Sequence, residues 1–484
     1  MTKVVISKVN EVDIQVEAEP HILYELQDHF SFDVEGASFS PAYRNRHWNG
    51  KIYLFSVNTK RINGGLVYRL CKFLDKHGYE WEFQNNKFYG APYELDTSIH
   101  RKSIESFMKN ISSVPPRDYQ IEAVYTALKE FRKTIVSPTG SGKSLCIYSV
   151  CRYVSEYEEN RTLIVVPTKS LVEQMAKDFE DYGWDPDNIH KIYQGKSLMS
   201  DCSVVISTWQ SIYSLDKKWF RQFDCIVADE CHQYKAKALQ GIMKKCTDTK
   251  RRYGFTGTLD GKNVHKLTLE GLFGPVFKTT TTSDLMEKGL LAKLKVEIIT
   301  LKHPHKAFSN YNEEIEYLCD LESRNKFITN LANNLNGNVL VLFTRVEGHG
   351  VPLAEMIVKN TSRSVHLIHG GTTVEEREQT RSIAESSTGN IIIGSYGTMS
   401  TGVNIKNIQH IVFASPSKSR TRVLQSIGRG LRKKQIDNKC MLYDIADDMR
   451  KNGGKSNYTL NHLKERIKFY IEENFDYRMT ELNL

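Results

Sequence analysis

Eight residues, Ser137-Pro138-Thr139-Gly140-Ser141-Gly142-Lys143-Ser144, constrain this chain more tightly than any other stretch. Lys133 to Val136 before them reads as the end of a strand, and Leu145 to Val150 after them as an apolar helix. In that strand-loop-helix context, Gly140 and Gly142 let the backbone wrap closely enough for successive N–H groups and the helix N-terminus to face phosphate oxygens. Thr139 and Ser141 complete the cradle. Lys143 then reaches the β- and γ-phosphates and the Ser144 hydroxyl ligates Mg²⁺, so the ligand expected is ATP with Mg²⁺. The usual first glycine of such a loop is Ser137 here. A Gly/Ser turn before a helix is ordinary on its own, so the assignment needs support from the rest of the chain.

A length of 484 residues predicts about three domains. The balance of 66 Lys+Arg against 57 Asp+Glu leaves +9, which favours polyanionic partners. Residues 1–100 hold 11 basic and 13 acidic side chains, so the positive excess lies with the cradle region. Nine scattered cysteines without a C-x-x-C pair argue for a reducing compartment and against a zinc ribbon. The N-terminus has no apolar signal core and no apolar run approaches a bilayer span, so a cytoplasmic protein without membrane contact is expected.

Along residues 1–95, Val4, Ile6, Val12, Ile14 and Val16 alternate as in half-buried strands, and Pro20 to Phe32 reads as a short helix. From Gly36 to Leu74 there is no acidic residue. That stretch holds Arg44, Arg46, Lys51, Lys60, Arg61, Arg69 and Lys72, interleaved with Tyr43, Trp48, Tyr53, Phe55 and Tyr68. Cations beside stackable rings suit a nucleic-acid surface, with Arg44, Arg46, Trp48 and Lys51 as contacts. Equally, the rings are core and the cations merely solvated. Residues 96–116, polar and ending in Pro115-Pro116, read as a linker.

Arg117 and Gln120 open the next helix, and a glutamine amide can both donate to and accept from an adenine edge. Strands then alternate with helices, implying parallel sheets with polar clusters at the strand carboxyl ends. In residues 117–284 these are Pro167-Thr168-Lys169, Thr208 with Gln210, Asp229-Glu230-Cys231-His232 and Thr256-Gly257-Thr258. Asp229 can hold Mg²⁺ through water, and Glu230 can take a proton from the water attacking the γ-phosphate. Residues 285–448 repeat the rhythm without a cradle, through Thr344-Arg345 and Gln425 to Arg432. Arg429 and Arg432 share one helical face and could stabilise phosphoryl charge or bind nucleic-acid phosphate. In the tail, 449–484, Leu460, Leu463, Ile467, Ile471 and Phe475 form a stripe expected to dock on this second unit.

Taken in order, these clusters resemble the motif set of superfamily 2 helicases and translocases over residues 117–445. With Arg46 to Ile52 added, the whole chain is similar to UvsW-type recombination helicases of T-even-like bacteriophages. That resemblance implies an α/β architecture of two RecA-like parallel-sheet lobes in tandem after a small α/β N-terminal domain. It implies hydrolysis by Lys143, Ser144, Asp229 and Glu230, with Gln425, Arg429 and Arg432 reaching ATP from the second lobe and Gly402 beside it. Gln210, His232, Thr256 and Thr258 would couple nucleotide state to lobe geometry. Pro167, Thr168, Lys169, Thr208, Thr344, Arg345 and Thr401 would track a strand. It further implies a monomer acting on single-stranded and branched DNA and on RNA–DNA hybrids, in the host cytoplasm, beside single-strand-binding or recombination proteins. Asn404 stands where many such proteins carry a ribose-binding aspartate, so that contact is unassigned. Two other readings stay open: a nucleotide-regulated annealing protein, and the motor of a restriction system.

Overall fold

The structure is a computed structural model that describes residues 3–34, 36–259, 261–401, 405, 407–431, 439–451 and 454–484, with the side chains of 235, 400, 401, 421, 429 and 430 left out. Gly402, Asn404 and Arg432, and the side chains of Thr401 and Arg429, therefore lie outside the described residues. By contacts the chain forms two compact units, residues 1–136 with 142–279, and 280–484 with 137–141.

The first unit begins with a mixed sheet. Its strands are β1 (Val4–Lys8), β2 (Asp13–Glu17), β5 (Phe55–Ser56), β6 (Arg61–Asn63) and β7 (Trp81–Gln84), in the order β5-β6-β2-β1-β7. A separate antiparallel hairpin pairs β3 (Ser31–Asp33) with β4 (Lys51–Tyr53). The alternation at Val4, Ile6, Ile14 and Val16 does point these side chains into one core, with helix Pro20–His29 packed over it.

A seven-stranded sheet follows: β8 (Arg132–Val136), β9 (Thr162–Val166), β10 (Ile189–Ile192), β11 (Val204–Thr208), β12 (Cys225–Ala228), β13 (Arg251–Thr256) and β14 (Val276–Lys278). The second unit holds β15 (Lys293–Lys302), β16 (Val339–Phe343), β17 (Val365–Ile368), β18 (Ile391–Ser395), β19 (His410–Phe413), β20 (Lys439–Asp448) and β21 (Asp476–Asn483). The orders are β10-β11-β9-β12-β13-β8-β14 and β17-β18-β16-β19-β20-β15-β21. Counted within each lobe, both read 3-4-2-5-6-1-7, and every pairing is parallel. Central strands such as β9, β11, β16 and β18 are buried at every position, because helices cover both sheet faces. These are the two tandem RecA-like lobes expected.

Three expectations change. Residues 96–116 are no linker: Arg101–Ile111 is a helix whose Ile104, Phe107 and Met108 join the first lobe's core with Val124, Leu128 and Tyr148. The apolar residues recur at helical spacing, but the charged residues between them hide that pattern. The tail is not purely helical, since β21 extends the second sheet beside β15. Its helix, Tyr458–Glu472, does dock through Leu460 and Leu463, but Ile471 is 60% exposed and the buried stripe runs through Arg466 and Tyr470 instead.

The N-terminal sheet is joined to the first lobe by close packing and buried charge. A Cβ on Gly65 would lie 1.9 Å from the Glu270 carbonyl oxygen in helix Asn263–Phe273. Arg69 donates to both carboxylate oxygens of buried Glu270, one at 3.0 Å, and Arg132 donates to Glu11 at 2.6 Å. Gly65→Ala should therefore destabilise the first unit by roughly 1–3 kcal/mol through overpacking. Gly241→Ala, in open space on helix Lys237–Lys245, should be neutral or slightly stabilising. Urea unfolding of both variants against wild type checks this.

In the second lobe two buried arginines pin the loop after β19. Arg324 bridges Asp447 and the Ala414 carbonyl, both at 2.8 Å. Arg466 donates to Asp444 at 2.8 Å and to the Ser417 carbonyl at 3.2 Å, and the Tyr470 hydroxyl donates to Asp444 at 2.8 Å. His349, also buried, lies 3.0 Å from Ser415 Oγ and 3.2 Å from Asn325 Oδ1. Burial, helped by the Arg324 cation, pushes its pKa from 6.5 down to about 3. Across that window only the unfolded chain binds this proton, so stability falls as pH drops below 6.5. Between pH 6.5 and 5 the loss from His349 should be about 2 kcal/mol. His349→Gln should remove that component, read as a smaller difference between urea-unfolding free energies at the two pH values.

Candidate nucleotide site

The cradle runs from the end of β8 into helix Lys143–Tyr157, with Gly140 at φ +82° and Gly142 at φ +80°, where a side chain would be strained. A Cβ on Gly142 would also meet Gln120 Nε2 at 2.4 Å. Ser137 explains its own presence: its φ is not positive, and its hydroxyl lies 2.6 Å from that of Ser141, tying the loop's two ends. Thr139 is half-buried in the loop between them.

Gln120 is buried, its Oε1 accepting the Arg117 backbone N–H at 2.8 Å and its Nε2 donating to the Gly142 carbonyl at 3.2 Å. The amide expected to read adenine thus also caps its own helix and holds the cradle. Arg117 in turn donates to the Tyr119 hydroxyl at 2.8 Å.

β12 delivers Asp229 and Glu230 opposite the cradle. Lys143 Nζ lies 3.1 Å from Glu230 Oε1 and 3.7 Å from Asp229 Oδ1. Burial works against the Lys143 ammonium, but the two carboxylates hold its pKa above the usual lysine value. Burial likewise opposes charge on Glu230, yet Lys143 and His232 keep it well below the usual carboxylate range. Asp229 moves the other way, because burial and the Glu230 charge together outweigh Lys143. Glu230 takes a left-handed φ of +50°, which turns the chain sharply out of the strand.

From Glu230 a polar chain leads to β13. His232 Nδ1 is 3.2 Å from Glu230 Oε2 and 2.9 Å from Thr256 Oγ1, and the Thr256 hydroxyl reaches the Thr258 carbonyl at 3.0 Å. All four residues were legible as strand-end motifs. Tyr182 was not: its hydroxyl is 2.9 Å from Ser144 Oγ, although it sits past the end of helix Lys169–Asp181, far from any motif.

The strand-end residues expected at nucleic acid divide by exposure. Lys169 is exposed and lies over the Tyr193 ring at 5.0 Å, while Thr168 caps helix Lys169–Asp181 by accepting from Leu171 N–H at 3.3 Å. Pro167 and Thr208 are buried; Gln210 donates to the Pro167 carbonyl at 3.3 Å, and Thr208 Oγ1 pairs with Ser211 Oγ at 2.9 Å. In the second lobe Thr344 is exposed, its backbone N–H donating to Ser415 Oγ at 3.2 Å, and Arg345 faces the Asn312 carbonyl at 3.5 Å. Gln425 is buried on helix Arg420–Gly430.

In the N-terminal domain both readings of the rings hold in part. Phe55 is fully buried, whereas Tyr43 and Tyr53 are 42% exposed and Tyr68 58%. Trp48 is half-buried, its indole N–H donating to the Lys51 carbonyl at 2.7 Å. Arg44 and Arg46 are exposed, but Lys51 faces Asp28 at 3.6 Å, Lys60 pairs with Glu17 at 2.5 Å and Arg69 is spent on Glu270.

Family descriptions match three segments: DNA helicase UvsW, N-terminal, over residues 6–84; Type III restriction enzyme, res subunit, over 113–261; and Helicase conserved C-terminal domain over 315–434. The ATP-dependent DNA helicase uvsW of Enterobacteria phage T4 is 34% identical, the match spanning 97% of this chain and 98% of that protein. The crystal structure of T4 UvsW aligns over 100% of both chains at 31% identity and a TM-score of 0.53. A fragment of a putative HsdR subunit of a type I restriction enzyme from Vibrio vulnificus shares the fold at 18% identity, covering 80% of this chain and 72% of that one with a TM-score of 0.58. Among the described residues no helix is long and apolar enough to cross a membrane. With one relative this similar along nearly its full length, the chain belongs to the UvsW family of ATP-dependent DNA helicases.

Proposed function

We propose that this chain uses ATP hydrolysis to remodel branched DNA, such as Holliday junctions, stalled forks, D-loops and R-loops, with annealing of complementary strands as a companion activity. The observation that carries the hydrolytic part is the Lys143, Asp229 and Glu230 cluster at the cradle. The donor set there, a serine hydroxyl and a carboxylate, consists of hard oxygens and fits Mg²⁺, with Ser144 and Asp229 the residues that would hold it, Asp229 partly through water. When bound, Mg²⁺ neutralises charge on the β- and γ-phosphates. Gly140, Gly142 and the N-terminus of helix Lys143–Tyr157 cradle phosphate, and Lys143 turns from its carboxylates to the phosphate oxygens. Withdrawing that ammonium from Glu230 raises the basicity of its carboxylate, which suits it to orient and deprotonate the attacking water.

The path from Glu230 through His232 to Thr256 gives lobe 1 a route by which nucleotide state reaches the strand ends, where Lys169 and Thr168 meet nucleic acid. Thr344, Arg345 and Thr401 would grip from the second lobe. For Gln425, Arg429, Arg432 and Gly402 the assignment to nucleotide rests on motif alone. A protein in which ATP only sets the grip for annealing has no use for a base placed like Glu230. A restriction motor leaves the match of residues 6–84 without a role.

Glu230→Gln should cut DNA-stimulated ATP turnover by about 10²- to 10⁴-fold while leaving nucleotide binding near wild type. Lys143→Ala should lose both. Turnover and fluorescent-nucleotide binding, measured with single-stranded, forked and RNA–DNA hybrid substrates, check this. Undiminished turnover in Glu230→Gln would remove the mechanism, and turnover indifferent to every nucleic acid would remove the helicase reading.

A further inference from the structure

The Ser144 hydroxyl has one proton and two lone pairs. To offer a lone pair to Mg²⁺ it must give its proton to an acceptor, and the place of that acceptor then sets where the lone pairs point. A serine within a helix ordinarily gives its proton to the carbonyl four residues back. Ser149, on the same helix as Ser144, does so, donating to the Leu145 carbonyl at 2.8 Å. Ser144 Oγ instead lies 2.9 Å from the hydroxyl of Tyr182, which is 38 positions further along the chain. Asp229, the other expected ligand, directs Oδ1 to the Glu230 backbone N–H at 2.9 Å and toward Lys143 at 3.7 Å, so it is Tyr182 that meets the serine here.

Three helices fix Tyr182 at this place. Its backbone N–H donates to the Asp178 carbonyl at 3.0 Å, closing helix Lys169–Asp181. Its carbonyl lies 3.1 Å from the hydroxyl of Tyr148, a fully buried residue on helix Lys143–Tyr157. The same hydroxyl donates at 2.6 Å to the carbonyl of Ile111, the last residue of helix Arg101–Ile111. The Tyr148 and Tyr182 rings meet edge to face with centroids 5.3 Å apart, and Tyr148 meets Phe179 at 5.4 Å and Trp184 at 5.8 Å. Gly183, at φ +102°, then turns the chain so that the Trp184 N–H reaches the Phe179 carbonyl at 2.9 Å. Packing accounts for the Tyr182 ring. It does not account for the hydroxyl, whose described partner is Ser144 Oγ.

Burial raises the Tyr182 pKa, so the phenol stays neutral at ordinary pH and adds no charge to the cradle. A neutral acceptor can orient the serine without drawing the cation away from it. Held on a rigid ring, it does so at little entropic cost.

We propose that Tyr182 is a positioning residue for the metal site: by accepting the Ser144 proton it leaves the lone pairs of Ser144 Oγ for Mg²⁺. The proposal rests on the reading of Ser144 as a Mg²⁺ ligand and adds the residue that aims it. Tyr182 touches neither nucleotide nor water in this role and acts through Ser144 alone.

The test compares wild type, Tyr182→Phe, Ser144→Ala and the double variant. Tyr182→Phe keeps the ring and its contacts and removes only the hydroxyl. Mn²⁺ titrated into the ADP complex, with free Mn²⁺ read by electron paramagnetic resonance, should bind about tenfold more weakly to Tyr182→Phe, the scale of losing a partner that orients a metal ligand. Affinity for a fluorescent ADP in EDTA should stay within about twofold of wild type, since no metal is then held. The Mg²⁺ concentration giving half-maximal ATP turnover should rise by the same factor, with turnover at saturating Mg²⁺ retained. In the Ser144→Ala background the tyrosine substitution should change Mn²⁺ affinity no further. Wild-type Mn²⁺ affinity in Tyr182→Phe, beside a weakened Ser144→Ala, would overturn the role of Tyr182 alone. So would an equal effect of Tyr182→Phe with and without Ser144, or a loss of ADP affinity in EDTA, either of which would mark the hydroxyl as a general support of the fold. If Ser144→Ala itself binds Mn²⁺ like wild type, the metal assignment in the proposed function falls and the role of Tyr182 with it.

Discussion

A parallel sheet buried on both faces allows polar chemistry at one place only, the carboxyl ends of its strands. The inner strands β9, β11, β16 and β18 are buried at every position, where a polar group is costly unless it finds a partner. In the first lobe the cradle follows β8, Pro167 follows β9, Trp209 and Gln210 follow β11, Asp229 follows β12 and Gly257 follows β13. The same 3-4-2-5-6-1-7 order in both lobes means that one constraint, applied twice, sets the position of each strand-end cluster.

Charge placed at such an edge is half out of water and must be paired. Lys143 meets this requirement for Asp229 and Glu230, and His232 extends it toward Thr256. The second lobe handles the same problem deeper inside. Arg324 with Asp447 and Arg466 with Asp444 are buried pairs, which are poor sources of net stability but strict about geometry. Each arginine also donates to a carbonyl of the loop after β19, which leads into helix Arg420–Gly430. The C-terminal helix therefore fixes the start of a motif far from it in sequence. Arg420 is held from the same side by ion pairs to Glu472 and Glu473.

The N-terminal domain shows how little residue type says about exposure. Phe55 and Tyr53, two positions apart, have opposite fates, because β5 joins the main sheet whereas β4 belongs to the separate hairpin. Among the cations, Arg69 and Arg132 anchor the domain to the first lobe through Glu270 and Glu11, while Arg44 and Arg46 remain at the surface. A stretch uniform in composition thus divides into a joint and a tip.

What the sequence determined by itself was local: the cradle from Ser137 to Ser144, the Asp229-Glu230 box, and the strand ends that make two parallel-sheet lobes. These are legible because phosphate binding and buried parallel strands demand particular residues at short, fixed spacing. The helix at Arg101–Ile111 was hidden by its charged residues, and β21 by the absence of any buried position in it. Only the tertiary structure decided that Tyr182 meets Ser144, that Gln120 holds the Gly142 carbonyl, that His349 and Ser415 carry Thr344, and that Phe39 stands clear of the core. Each of these depends on segments distant in the chain folding to one place, and no spacing within a single stretch encodes that.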